Sequence, residues 1–272
     1  MRRRRALPAP AVRVGAVRGA RPRSKGRRAL NVAIAAVVVA AILAVLAVYG
    51  TSALEGQAMR DLAQGSGPGT TAGQEAGIDW EALRAENPAV AAWLTVEGTP
   101  IDCPVLQATE DDPSFWLSRN FWGERSLAGS AVIDPATDAY GPHTLVYGHH
   151  VDDWRAFSPL WRAWTPEVFS SLGTVIWSVP EGTETFRPLF AFRCDKADPE
   201  VQRFDFAGGA DGSGCDVAAL RSWLSSLGTR AEASAEGWQG TAEDTSRVLT
   251  LVTCSSPWAG QRGRTVVVCA RV

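Results

Sequence analysis

Residues 2 to 28 contain no aspartate or glutamate, although they hold eleven Lys and Arg, and residues 29 to 49 carry no charge of either sign. The formal net charge of -2 therefore conceals an asymmetric chain, with +11 in the basic arm and a net -13 from residue 51 onward. An acid-free basic arm is one way to hold nucleic acid, but this arm abuts an uncharged run in which Asn31 is the strongly polar residue. At 1.5 Å per residue such a run spans ~30 Å as a helix, the thickness of one bilayer core. The positive-inside rule then places residues 1 to 28 in the cytoplasm and everything after residue 50 outside, as a single-pass membrane protein with no nucleic-acid partner. A cleaved signal peptide would carry an apolar region of only ~7 to 15 residues, so residues 29 to 49 are expected to stay as a transmembrane signal-anchor helix.

Histidine is scarce as well. The three present, His143, His149 and His150, fall within eight residues of one another. A structural zinc site would need four ligands, and the neighbouring acids and thiols show no ligand spacing, so neither a metal nor another cofactor is expected. Cysteine is the other limited resource: Cys103, Cys194, Cys215, Cys254 and Cys269 are an odd number in a compartment that permits disulfides, so at least one thiol stays unpaired in a monomer. Cys194 and Cys215 bracket one segment and could close it, but no connectivity follows from the sequence.

No internal repeat is present. Residues 50 to 77 are rich in Gly, Ala, Ser, Thr and Gln and read as a flexible extracytoplasmic stalk. A globular domain follows over residues 78 to 272. It opens on a short helix that Asp79 can cap and that must stop near Asn87-Pro88, since the residue before proline avoids helical backbone. Eight strand-like runs then recur, at 92 to 96, 101 to 106, 130 to 133, 144 to 147, 174 to 179, 186 to 192, 247 to 254 and 264 to 268, with turn residues between most of them. That density predicts a mainly β, mostly antiparallel barrel or sandwich. One helix interrupts it over residues 216 to 227, with Asp216 as cap and Val217, Leu220, Trp223, Leu224 and Leu227 on one face.

The stretch Arg247-Val248-Leu249-Thr250-Leu251-Val252-Thr253-Cys254 is a buried-strand pattern that ends on a thiol, and Arg264-Thr265-Val266-Val267-Val268 is a second strand. Paired antiparallel, the two place Cys254 and Arg264 on one rim. Histidine, with an ordinary pKa near 6.5, is the natural proton-transfer partner of a thiol, and Gly148 before His149 marks a tight strand exit.

Thr250-Leu251-Val252-Thr253-Cys254 resembles the TLxTC signature of sortases, Tyr147-Gly148-His149 resembles their histidine motif, and Arg264-Thr265-Val266-Val267 their arginine strand. The first hairpin, Trp93-Leu94-Thr95-Val96-Glu97-Gly98-Thr99-Pro100-Ile101-Asp102-Cys103-Pro104-Val105, is similar to that of class B sortases, as is Phe157-Ser158-Pro159-Leu160. Two positions depart from the pattern: His150 stands where class B members commonly have Asn, and residues 255 to 263 lack an acid. The resemblance covers residues 78 to 272 and implies a closed eight-stranded sortase-type β-barrel with flanking helices. It implies a cysteine transpeptidase with Cys254 as nucleophile, His149 as acid and base, and Arg264 as donor to the oxyanion or holder of the substrate carbonyl. The implied donor is a sorting signal of the Asn-Pro type on a secreted protein, and the acceptor an amine of cell-wall precursor or of a pilin. Two alternatives stay open at this point: a cysteine hydrolase that passes the same thioacyl group to water, and a membrane-tethered binding module whose Cys and His are structural.

Overall fold

Secondary structure follows the apolar periodicity from one end of the domain to the other. The computed structural model describes residues 24–63, 77–151, 156–208, 214–254 and 262–272. The elements are α1 (Ser24–Ala63), α2 (Trp80–Glu86), β1 (Val90–Val96), β2 (Asp102–Gln107), β3 (Ala131–Ile133), β4 (His143–Tyr147), α3 (Pro166–Phe169), β5 (Val175–Val179), β6 (Gly182–Asp195), α4 (Val217–Gly228), β7 (Ala233–Ser234), α5 (Trp238–Asp244), β8 (Val248–Cys254) and β9 (Gly263–Arg271).

Hydrogen bonding runs in the order β5-β1-β2-β3-β4-β8-β9-β6, and a further β5–β6 pairing joins the last strand to the first. Eight strands thus close into a barrel with no free edge between them, and the two residues of β7 pair on the outside of β6. The β2–β3 and β4–β8 contacts are parallel and the rest antiparallel, a mixed barrel with the mostly antiparallel character expected. Strand β6 extends beyond residues 186 to 192 in both directions. Its 14 residues let it serve β5 at one end and β9 along the remainder, with an irregularity at Pro188, which has no N–H to give to the ladder.

Two apolar layers meet across the sheet. Leu94, Val105, Ile133, Trp177, Leu251 and Val267 fill the barrel. On the outer face, Leu220, Trp223, Leu224 and Leu227 of α4 cover Val248, Val252, Val266, Phe190 and Phe192. Strand β8 is therefore buried on both sides, which is why its sequence is a continuous apolar run and not an alternation. Each such side chain contributes roughly 1.5–3 kcal/mol by leaving water. Helix α4 begins as its sequence requires, with the Asp216 carboxylate accepting from the Ala219 N–H at 2.9 Å. Asp79 caps α2 likewise through Ala82 at 2.9 Å. Helix α5 has no side-chain cap: Gly237 enters it at φ +66°, so the usual Ser, Thr, Asp or Asn start signal is missing.

The stalk boundaries need correction. Helix α1 does not stop at residue 49 but continues to Ala63. Residues 51 to 63 are mostly Ala, Leu, Glu, Gln, Met and Arg, good helix formers that outweigh the single interior Gly56. Met59, Leu62 and Ala63, at helical spacing, pack with Leu83, Val90, Trp93, Leu106 and Phe121, so the C-terminal body starts at Glu55. In the N-terminal unit, Leu30, Val32, Ile34, Val37, Val38, Val39, Ile42 and Leu43 are exposed along the helix. Its described side chains are those of residues 29 to 43 and Leu54. Among the described residues no helix is long and apolar enough to cross a membrane. The arm before residue 24, residues 64–76 of the expected stalk and the 255–261 part of the loop after Cys254 lie outside the described residues.

Candidate active site

Cys254 is the last residue of β8 and Arg264 the second of β9, and the antiparallel register sets them directly opposite one another. Arg264 is in turn opposite Cys194 of β6, so the guanidinium-bearing strand lies between two thiol-bearing strands. Directly opposed residues project from the same side of a sheet. Here it is the outer face, since Val252 and Val266, two residues away on each strand, belong to the layer under α4.

His149 reaches the same place from β4. The parallel β4–β8 register pairs Tyr147 with Val252, and the Gly148 N–H donates to the Val252 carbonyl at 3.0 Å. Two residues further along both chains, His149 comes level with Cys254. Gly148 is required there, because a Cβ would lie 2.4 Å from the Phe157 ring, while the Phe157 N–H holds the His149 carbonyl at 2.9 Å. His149, Cys254 and Arg264 line one cleft of about 440 Å³, together with residues of the 113 to 117 segment, Asp134, Tyr147, Lys196 and Gln202.

The His149 imidazole is half-buried. Its desolvation, with Arg264 nearby, lowers its pKa below the ordinary value, opposed by a hydrogen bond to the Leu117 backbone. A carbonyl only accepts, so one ring nitrogen donates to Leu117 and the other remains as the basic atom. The neighbouring histidines are occupied elsewhere. His150 stacks on Trp161, ring centroids 4.8 Å apart at 14°. His143 is buried, hydrogen-bonded to the Arg203 carbonyl and the Thr250 hydroxyl, and its desolvation brings its pKa down to about 4.

None of the five cysteines, all among the described residues, forms a disulfide, so Cys194 and Cys215 are not joined in this structure. Desolvation, with Asp102 adding to it, pushes the Cys103 thiol up to about 12, and burial raises Cys269 further. Desolvation pushes Cys194 up to about 11. Thiols so raised are poor nucleophiles at neutral pH.

Sequence reasoning missed a polar relay in the cleft. The Tyr147 hydroxyl donates to Asp134 Oδ2 at 2.9 Å and accepts from Gln202 Nε2 at 2.8 Å. Burial and the Asp134 charge raise the phenol's pKa, keeping it a donor. Gln202 and Lys196 come from the connection between β6 and α4, so that connection forms part of the cleft wall while the α4 stripe packs inward. Polar residues on loops lack periodicity, and nothing short of the fold brings these four together.

No family model matches the chain. Over 80 residues, 29% of this chain, it is 32% identical to Sortase B of Listeria monocytogenes, and the matched stretch spans about a third of that protein's length. The fold superposes on sortase B of B. anthracis with a TM-score of 0.62 at 22% identity, covering 82% of this chain and 97% of that one. It superposes on a Staphylococcus aureus sortase B–substrate complex with a TM-score of 0.57 at 22% identity, covering 71% of this chain and 84% of that one. The barrel is the sortase fold, and the chain resembles class B sortases in sequence and in architecture.

Proposed function

We propose that this chain is a membrane-anchored cysteine transpeptidase of the class B sortase type. The observation that carries the reading is the convergence of His149, Cys254 and Arg264 on one cleft, each delivered by a different strand end. In the proposed reaction the Cys254 thiol gives its proton to His149 and attacks a peptide carbonyl carbon. The oxyanion that forms lies against the Arg264 guanidinium, whose fixed charge and forked donors suit it. His149 then protonates the departing amine, and the C–N bond breaks to leave a thioacyl-enzyme. An incoming amine, losing its proton to His149, attacks the thioester, and the second collapse restores the thiol.

The donor in this reading is a C-terminal sorting signal on a secreted protein. A sorting-signal substrate is supported by the likeness to a sortase B solved with a substrate. The acceptor is an amine of cell-wall precursor or of a pilin. The charge of the basic arm, and the uncharged residues 29 to 49, which lie within helix α1, support an anchor with the N-terminus in the cytoplasm and the barrel outside. The test is to incubate the full chain in detergent with candidate sorting peptides, with and without an added amine. Mass spectrometry should detect a thioacyl adduct on Cys254 and an amide product that incorporates the amine. Exclusive release of the free acid at saturating amine would make the protein a hydrolase and sink the transpeptidase reading.

A further inference from the structure

Of the 27 Lys and Arg residues only Lys25 and Lys196 are lysine, and Lys196 is the one beyond the basic arm. It lines the cleft with Cys254 and Arg264. Its position is set by the ladder. The Lys196 N–H donates to the Arg262 carbonyl at 2.8 Å, continuing the β6–β9 pairing past Asp195 and Gly263. The Arg262 guanidinium clasps the Asp195 carboxylate through two bonds of 2.8 and 2.9 Å, which ties the two strand ends together. Side chains alternate along a strand, so Lys196 rises on the face that carries Cys194, and hence Arg264 and Cys254.

Two cations, Lys196 and Arg264, and one carboxylate, Asp134, line the cleft, which leaves it net positive. Asp195, whose charge Lys196 also feels, is bonded to Arg262, and Asp134 accepts from the Tyr147 hydroxyl and from the Ala136 N–H at 2.9 Å. Residues 255 to 263, which follow the nucleophile, contain no Asp or Glu. Among the described residues no carboxylate forms an ion pair with Lys196. A compact ammonium on a four-carbon stem acts as a point charge that follows its ligand, unlike the planar fork of arginine.

We propose that Lys196, acting with Arg264, makes the cleft select a substrate bearing a carboxylate beside the carbonyl that Cys254 attacks. The identity of that substrate rests on the transpeptidase reading, whereas the cationic field at the thiol does not. The carboxylate belongs either to the donor peptide or to the amine acceptor, and the two are separable by experiment.

Alkylation of Cys254 by anionic iodoacetate and by neutral iodoacetamide measures the field directly, with the site resolved by peptide mass spectrometry on the full chain in neutral detergent. Lys196→Gln should lower the iodoacetate-to-iodoacetamide rate ratio by roughly 3- to 10-fold at low salt, Lys196→Glu should lower it further, and 1 M salt should erase most of the difference. A ratio that is the same in all three proteins overturns the proposal. In turnover assays, donors with Glu or Gln near the scissile bond form one arm and glycine or glycinamide as acceptor the other. The expected result is a lower KM for the carboxylate form in one arm, lost in Lys196→Gln and reversed toward a Lys-bearing ligand in Lys196→Glu. Equal KM values in both arms, with turnover measurable, overturn the selection. A shifted alkylation ratio without turnover on any donor counts for the cationic cleft and against the transpeptidase reading.

Discussion

Thr250 donates its hydroxyl hydrogen to Nε2 of His143 at 2.9 Å, because Nδ1 of the same ring is committed as donor to the Arg203 carbonyl at 2.7 Å. The ring is neutral and fully used, packed against Trp223 at 4.7 Å and Phe204 at 5.3 Å. Two residues of the motif-bearing segments are thus spent on holding the barrel to its outer layer. The consequence is a pH dependence of stability. In the unfolded chain this imidazole takes a proton near pH 6.5, whereas burial holds it down to about 4 in the fold. Stability is complete above pH 6.5 and is lost as pH falls toward 4, by a sum on the order of 3 kcal/mol. Urea midpoints measured from pH 7 to pH 4 should fall more steeply for the native chain than for His143→Phe, and parallel curves would refute the assignment.

The strands were legible because each is an apolar run closed by turn residues, and β8 with β9 was legible down to the Cys254–Arg264 pairing, since a run that ends on each of them admits one antiparallel register. The extension of α1 was not. The composition of residues 50 to 77 read as a stalk, but tertiary packing of Met59, Leu62 and Ala63 overrides a helix cost of only about 1 kcal/mol per glycine. Choosing among the three histidines was legible only through the Tyr-Gly-His resemblance. The geometry adds what the sequence lacked: one ring is buried under α4, one stacks on Trp161 and one lines the cleft. Lys196 and Gln202 were not legible as cleft residues, because side chains on irregular backbone carry no period to read.

The anchor reading is tested by topology. Protease added outside intact cells should release a fragment containing residues 78 to 272, while the arm of residues 1 to 28 stays protected. The motive is the charge step on either side of residues 29 to 49. A mature N-terminus near Leu54 in the native host would show instead that the segment is cleaved.

Substitution separates the roles in the cleft. Cys254→Ala should abolish the thioacyl adduct, and His149→Ala and Arg264→Ala should each lower kcat/KM by ~10²- to 10⁴-fold while leaving the thermal midpoint within a few degrees. His150→Ala, which removes the ring stacked on Trp161 and away from the cleft lining, should cost much less. A series in which His150→Ala is fatal and His149→Ala mild would reverse the assignment of acid and base.

Gly129 makes the orientation of His149 testable without touching a reacting group. It sits at φ +59°, where side chains other than glycine are strained, and a Cβ there would lie 2.2 Å from the Leu117 carbonyl oxygen and 3.2 Å from Cδ2 of the His149 ring. Gly129→Ala must therefore push the carbonyl off its line and crowd the imidazole at once. The Leu117 bond raises the His149 pKa against desolvation, so weakening it should lower that pKa further. The acid limb of the kcat/KM profile should shift to lower pH, and the pH-independent maximum should fall by roughly 10- to 100-fold as the ring loses its alignment. Leu117→Ala keeps the carbonyl and removes only the side chain, so it should leave the acid limb in place. If Gly129→Ala lowers stability while both the limb and the maximum stay as they were, the glycine serves the loop alone and Leu117 does not orient the base.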